Sequence, residues 1–513
     1  MTTTTDRSGR LSLGTKLGFG VCDLGGNLFF TALGFWALKY LTDTVGIAAA
    51  VAGTVIMAGK LVDALWDPVL GYLSDRTRTR WGRRRPYIFF GSVPLAFAMW
   101  WFFTNPHIQS PVLLTAWAAL SFIALNVIYS IVNIPYSSLT PELTQDYHER
   151  SSLNGFRFMF AVLGTLLGAA SVPPLLAAFG GVEGADKSLG FSMMGLLFGA
   201  VMLVTAMTTA LTVREPAPAP ESEARTEFSP EVGAAAESDP DPRRPVRKAA
   251  PPVAGAAASA RRSGRGDFLR TYLSVFRNKP YLIVLLTYAL NLIGLTFLQG
   301  IIAYYFQYIY AREDLTALAM LILLVTAMVF IPVSVIVSKR IGKKRTYQIC
   351  FFALGSASLV LFFLGQALGP WFFIGMMVYA GIGVGFGYVA PYSMVPDTIE
   401  LDAARTGARK EGAFYGMWLL TSKIGSAVAM FASGLVLSFG GFVPNAAQAP
   451  ASQLAIRLLI GPIPAVFLLG ALFLIDRYPI DEKSYGAALA GAARAAAAEA
   501  RAAKEAHGGK EAR

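Results

Sequence analysis

Pro68-Val-Leu-Gly-Tyr-Leu-Ser-Asp-Arg76 is followed, after Thr77-Arg-Thr-Arg80, by Trp81-Gly-Arg-Arg-Arg85. Far downstream, Pro332-Val-Ser-Val-Ile-Val-Ser-Lys-Arg340 runs directly into Ile341-Gly-Lys-Lys-Arg345. Each copy has a proline late in an apolar run, reaches Ser-x-Arg, and turns at a glycine into a basic cluster. Half a chain separates the copies, so the sequence is an internal duplication. Working outward from both, apolar runs occupy 17–40, 49–73, 86–104, 111–136, 154–180 and 189–212. A second set occupies 281–311, 315–338, 346–366, 371–395, 412–438 and 456–476. Each has about the 20 residues that a helix rising about 1.5 Å per residue needs to cross about 30 Å of hydrocarbon.

Composition agrees. Of 513 residues, 54% are hydrophobic and only 15% charged, against about 25% charged in an ordinary soluble domain. Soluble classes are excluded. The +12 net charge is a signal of topology. Residues 1–16, 74–85, Arg150, 213–280, 339–345, 396–411 and 477–513 hold 37 of the 44 Lys and Arg, all on one side of an even number of spans. The positive-inside rule then puts both termini in the cytoplasm and the chain in the plasma (inner) membrane, and a nucleic-acid partner falls away. Cys22 and Cys350 lie far apart in apolar runs, and His107, His148 and His507 are scattered, so neither a disulfide framework nor a histidine metal site is indicated. Residues 1–16 are polar and do not read as a cleavable signal. No Gly-x4-Gly-Lys-Ser/Thr phosphate loop occurs; Gly381-Ile-Gly-Val-Gly-Phe-Gly387 reads as close helix packing.

The expected fold is therefore an all-α membrane protein, twelve transmembrane helices in two parallel six-helix bundles, the organisation of major facilitator transporters. The expected boundaries are 1–212 for the first bundle, 213–280 for a cytoplasmic linker, 281–476 for the second bundle and 477–513 for a cytoplasmic tail. The linker is rich in Ala, Pro and Arg and reads as largely disordered to 266.

The duplication also exposes a difference between the halves. Counting back from the matched prolines, Asp67 faces Ile331 and Asp63 faces Ala327. A buried acid costs several kcal/mol unless it meets water, a partner or an ion, and scaffold alone would need it in both halves. Lys60, Asp63 and Asp67 fall at i, i+3 and i+7, on one helical face. Two carboxylates a turn apart suit a monovalent cation or a shared proton. If the ion is sodium, Asp63 and Asp67 are its metal ligands. Asp23, Arg157 and Lys423 also fall inside spans. Arg157 is able to hold a polar solute bidentately, and Lys423, together with Lys60, to link the halves. Tyr129, Ser130 and Asn133 are read as sharing a face of the fourth helix, and Asn27 as lying one turn from Asp23; they offer hydrogen bonds to a polyhydroxylated solute. Trp36, Trp66, Tyr388, Tyr392 and Trp418 are aromatic candidates among which the sequence does not choose.

Asp63-Ala-Leu-Trp-Asp-Pro68, continuing through Gly71 to Trp81-Gly82 and Pro86, resembles the glycoside–pentoside–hexuronide:cation symporters of the major facilitator superfamily, from about Gly14 to Asn445 outside the linker. The resemblance implies that Asp63 and Asp67 are the coupling-cation carboxylates, helped by Ser130. It implies that Arg157 contacts sugar and that Lys423, in Ser-Lys-Ile-Gly-Ser426, is tied to the cation site. The chain departs from the pattern at Asn133, where the family has a fourth-helix aspartate that contacts sugar and cation. It departs again at Asn27, where the first-helix sugar aspartate falls. A galactoside specificity is not implied, and a proton is as good a coupling ion as sodium.

The expected function is secondary active symport of a sugar or glycoside by alternating access. It needs no cofactor and no enzymatic step. The expected site is Asp63, Asp67, Ser130 and Asn133 for the ion, and Asp23, Asn27, Tyr129, Asn133 and Arg157 for the solute. Membrane lipid surrounds a single chain, expected as a monomer. A lysolipid or amphiphile carrier of related fold, and a non-transporting receptor signalling through the linker, are the alternatives.

Overall fold

The computed structural model describes residues 11–144, 147–180, 187–213, 215, 274–406 and 410–480. Most of the expected linker and tail lies outside them. Twelve helical segments follow in chain order: α1 (Leu13–Thr44), α2 (Ala49–Arg76), α3 (Arg85–Phe102), α4 (Pro111–Leu143), α5 (Tyr147–Ala170) and α6 (Ser188–Thr212) in the first half. The second half contains α7 (Lys279–Tyr304), α8 (Thr316–Ile341), α9 (Lys343–Val360), α10 (Gln366–Thr406), α11 (Glu411–Phe439) and α12 (Pro450–Asp476). Among the described residues ten segments are long and apolar enough to cross a membrane. One of these, Lys343–Ala403, runs from α9 into α10, whose backbone leaves helical geometry at Gly369 (φ 80°). With α3, 18 residues long but outside those ten, the described helices line up in order with the apolar runs read from the sequence.

Two boundaries differ from that reading for backbone reasons. The fifth span does not run to residue 180. It stops at Ala170, and Ser171 separates it from a short helix, Val172–Phe179, that opens with Pro173 and Pro174; prolines lack the N–H that would continue α5. The twelfth begins earlier, at Pro450, and kinks at Gly461 (φ −112°, ψ −103°) before Pro462.

Packing repeats between the halves. α1 lies on α5 and α6, α3 on α4 and α6, and α2 on α4; likewise α7 lies on α11 and α12, α9 on α10 and α12, and α8 on α10. Between the halves α2 meets α11, α8 meets α5, and α1 meets α7. Exchanging the halves carries each pairing onto another or onto itself, as a duplicated bundle requires. The quoted motifs turn alike. Gly82 (φ 103°) and Gly342 (φ 86°) occupy the left-handed region, which admits glycine without strain. Beyond the first, Arg85 Nε donates to the Ala210 carbonyl near the end of α6 (2.8 Å), and Glu215 accepts the backbone N–H groups of Arg83, Arg84 and Arg85. Beyond the second, Lys344 pairs with Asp476 at the end of α12 (3.1 Å) and Lys343 with Asp397 of α10 (2.6 Å). The glycine run in α10 is a packing seam: Gly381 and Gly385 approach the Leu323 and Ala327 carbonyls of α8, Gly383 and Gly387 the Leu354 and Cys350 side chains of α9.

The closest crossing of α1 and α5 is at Gly164, where an added Cβ would sit 2.2 Å from the Leu24 carbonyl oxygen. At its counterpart in α11, Gly425, the nearest atom would be 3.4 Å away. Gly164→Ala is expected to destabilise the protein by about 1–3 kcal/mol through overpacking, and Gly425→Ala to be nearly neutral. Thermal melts of the purified variants in detergent check this, and equal melting points would contradict it.

Candidate functional site

α2 carries its charged stripe to the seam with α11. The Lys423 ammonium stands 2.6 Å from Asp63 Oδ2 and 2.5 Å from Asp67 Oδ2, joining the halves. From α4, Ser130 Oγ lies 2.6 Å from Asp63 Oδ1 and 2.9 Å from Asp67 Oδ1. Each carboxylate thus offers one oxygen to the ammonium and the other to the hydroxyl. The Asp63 side chain is 8% exposed and that of Asp67 24%, so Asp67 is the acid nearer solvent. Lys60, one turn before Asp63, reaches Ser426 Oγ at 3.3 Å, adding a second cross-link to α11. Charges in a partly desolvated setting attract strongly, and removing one partner leaves the rest uncompensated.

A second charged group lies on α1, α4 and α5. Arg157 holds Asp23 through two nitrogens, Nε to Oδ2 at 2.6 Å and Nη2 to Oδ1 at 3.3 Å, while Nη1 donates to Thr140 Oγ1 at 3.0 Å. The Tyr136 hydroxyl donates to Asp23 Oδ2 at 2.6 Å, and the guanidinium carbon lies 5.0 Å from the Tyr136 ring centre. This is the planar fork that recognises carboxylates and paired hydroxyls, here closed on an internal carboxylate. Ser130 and Tyr136 are six residues apart on α4, roughly 9 Å along its axis, and Asn133 lies midway.

The fourth-helix residues do not all share a face. Ser130 looks toward α2, whereas Tyr129 is buried and stacked in parallel on Phe29 of α1, ring centres 3.9 Å apart. Successive helical residues are turned by about 100°, so adjacent side chains diverge. Asn133 sides with Tyr129, lining with Gly25, Gly26 and Thr205 a small cavity between α1, α4 and α6. Asn27 donates to the Asp23 backbone carbonyl one turn back (2.8 Å).

Sequence reasoning missed a third cluster, at the ends of α1 and α7 away from residue 13. Lys39, 2% exposed, pairs with Asp43 at 2.8 Å and also donates to Gln307. Tyr308 donates to the same oxygen, Asp43 Oδ2 (2.7 Å), Thr42 and Tyr304 share a hydrogen bond of 2.7 Å, and Asn445 Nδ2 donates to the Asp43 carbonyl (2.6 Å). Lys187 pairs with Glu313 at 2.5 Å. Lys39, Thr42, Asp43 and Lys187 belong to the first half and the others to the second, so the cluster ties the halves together on that side. The only signal in the sequence was Lys39 at a span edge; its partners across the seam lie more than 260 residues away.

Two helical halves related by duplication and clasped by charges across their seam have the architecture of a secondary transporter. The family model described as MFS/sugar transport protein matches residues 18–240 and 249–482. The chain is 30% identical to the uncharacterized symporter sll1374 of Synechocystis sp., over 92% of this chain and 95% of that one. It is 27% identical to the isoprimeverose transporter of Lactiplantibacillus pentosus (91% and 88% covered) and 27% identical to a putative sulfoquinovose importer of Salmonella typhimurium (93% and 92%). Among solved structures the D-xylose-proton symporter has the same fold, with TM-score 0.61 at 15% identity, over 91% of this chain and 97% of that one. The chain belongs to this family, the glycoside–pentoside–hexuronide:cation symporters: it is a sugar symporter and not an enzyme.

Neutralising Asp43 removes the negative charge from the group that Lys39 and Tyr308 share. With spin labels at Ala48 and Val443, Asp43→Asn is expected to add a longer-distance population to the spectrum. An unchanged distance distribution would show that the cluster does not hold the halves together.

Proposed function

We propose that the protein imports a glycoside together with a proton held at Asp63 and Asp67. The observation that carries the proton is the single hydroxyl between the two acids. A serine has one proton to donate, yet Oγ lies within hydrogen-bonding distance of both carboxylates. Both contacts are favourable when one carboxyl is itself protonated and donates to Oγ. Close acids favour a shared proton for the same electrostatic reason. The donor set supports the same ion: Lys423 and Ser130 already occupy all four carboxylate oxygens, and Asn133 adds no third carboxylate ligand for sodium.

The proton count then sets how tightly the halves hold each other. With both acids ionised, Lys423 is drawn fully onto α2 and the seam is clamped. Protonation removes one charge, loosens the clamp and frees the halves to rock. Solute held by Arg157 and its neighbours biases the same motion, so ion and solute share a coupling free energy, typically about 1–3 kcal/mol, that acts reciprocally. With both termini cytoplasmic, as the basic residues indicate, the Asp43 cluster closes the extracellular side and the central groups face the cytoplasm. That similar chains include an isoprimeverose transporter and a putative sulfoquinovose importer supports a glycoside or acidic sugar over a lysolipid.

Proteoliposomes loaded by an imposed pH gradient test this. Isoprimeverose, xylosides and glucuronides are expected to accumulate when the outside is acidic. Asp67→Asn should abolish accumulation while leaving part of the equilibrative exchange. Arg157→Ala should weaken apparent solute affinity about tenfold or more with little change in ion dependence. Accumulation driven by sodium alone, or intact in Asp67→Asn, would overturn the reading.

A further inference from the structure

The halves match at a finer scale than their helices. α1 and α7 both end in a π-turn, Tyr40–Thr44 and Tyr305–Ile309, and Asp23 and Tyr288 each precede its first residue by 17 positions. α4 carries Pro135-Tyr-Ser137 where α10 carries Pro391-Tyr-Ser393, so Tyr136 corresponds to Tyr392. α5 has Gly155-Phe-Arg157 with Gly164 seven residues on; α11 has Gly416-Met-Trp418 with Gly425 at the same interval. Contacts verify the register. Gly164 faces the carbonyl oxygen of Leu24 and Gly425 that of Ala289, in each case the residue after the first member of the set. Asp23, Tyr136 and Arg157 therefore have as counterparts Tyr288, Tyr392 and Trp418.

The counterparts touch in the same triangle. Trp418 stacks on Tyr288 with ring centres 3.8 Å apart and planes 13° from parallel. Tyr392 stands edge-on to both, 6.4 Å from Tyr288 and 6.1 Å from Trp418. Tyr288 and Trp418 are buried, but Tyr392 is 57% exposed. Its counterpart Tyr136 is 1% exposed, beneath Arg157 and Asp23. One turn earlier on α10, Tyr388 meets Phe158 of α5, the neighbour of Arg157, at 5.1 Å, so this stretch of α10 borders the other half.

We propose that Tyr392, fixed by the stacked pair Trp418 and Tyr288, is a platform for the apolar face of the solute's second ring or aglycone. The Asp23–Arg157–Tyr136 group takes the polar rim from the opposite half. A sugar ring presents C–H groups on its faces and hydroxyls on its edge, so an aromatic wall and a hydrogen-bonding wall together orient it. A solute spanning both walls contacts both halves, which is what lets its binding bias their arrangement. The site then prefers glycosides to free monosaccharides. This inference rests on the reading of the protein as a glycoside symporter.

Equilibrium binding by calorimetry on the purified full-length protein, with 4-nitrophenyl xyloside and glucuronide against D-xylose and D-glucuronate, separates the two. Wild type is expected to bind the glycosides at least about tenfold more tightly than the free sugars. Tyr392→Ala and Tyr392→Leu should lose that preference while binding free sugars as before, and Tyr392→Phe should keep it. Because Tyr392 is exposed, melting points of all three should match wild type. A preference retained in Tyr392→Ala, or kept as well by leucine as by phenylalanine, would overturn the platform alone. A wild type that binds neither glycosides nor free sugars would overturn the symport reading and the platform with it.

Discussion

Two carboxylates cannot both sit ionised a few ångströms apart inside a membrane protein without something positive between them. The Lys423 ammonium meets that demand from the other half of the molecule, at 2.6 and 2.5 Å. Because the acids are on α2 and the ammonium on α11, their electrostatics act across the seam between the halves. An ion that changes the charge on the acids changes the force between the bundles. The same attraction within one helix would be merely structural.

The rest of the architecture makes that force useful. The Asp43 cluster ties the halves together at one end of the seam with hydrogen bonds and ion pairs. The clasp at Lys423 sits deeper, with Ser130 touching both acids. Along α4, roughly 9 Å separates Ser130 from Tyr136, so the Asp63–Asp67 pair and the Asp23–Arg157 group both contact that helix, on either side of Pro135.

Much of this was legible in the sequence, for identifiable reasons. The duplication showed itself through Pro68 and Pro332 and the glycine turns after them, because both turns need a left-handed φ and both clusters cap a neighbouring helix. Asp63 and Asp67 stood out because their counterparts are Ala327 and Ile331. Helical spacing put them on one face, and the family resemblance added Ser130 and Lys423, which the structure brings to the same point. What spacing could not give was which way adjacent residues point once a helix is packed: Tyr129 turned to Phe29 while Ser130 turned to α2. Nor could it pair Asp43 with Tyr308 and Asn445, since partners hundreds of residues apart leave no periodic trace in a single chain. The aromatic counterpart of the Asp23 group was hidden for another reason. Duplicated positions that have diverged from acid and arginine to tyrosine and tryptophan look unrelated until the backbone contacts of Gly164 and Gly425 align them.

The proposed reading places a proton at the Asp63–Asp67 pair that moves with the solute. Proton exchange in weakly buffered solution measures it directly, by adding glycoside to the purified protein and following pH. Wild type should take up about one proton per protein as ion and solute bind together, and the Asp63→Asn/Asp67→Asn double variant should take up none while still binding solute weakly. Equal proton uptake by the double variant, or solute binding by the wild type with no proton taken up at any pH, would contradict proton coupling at this pair.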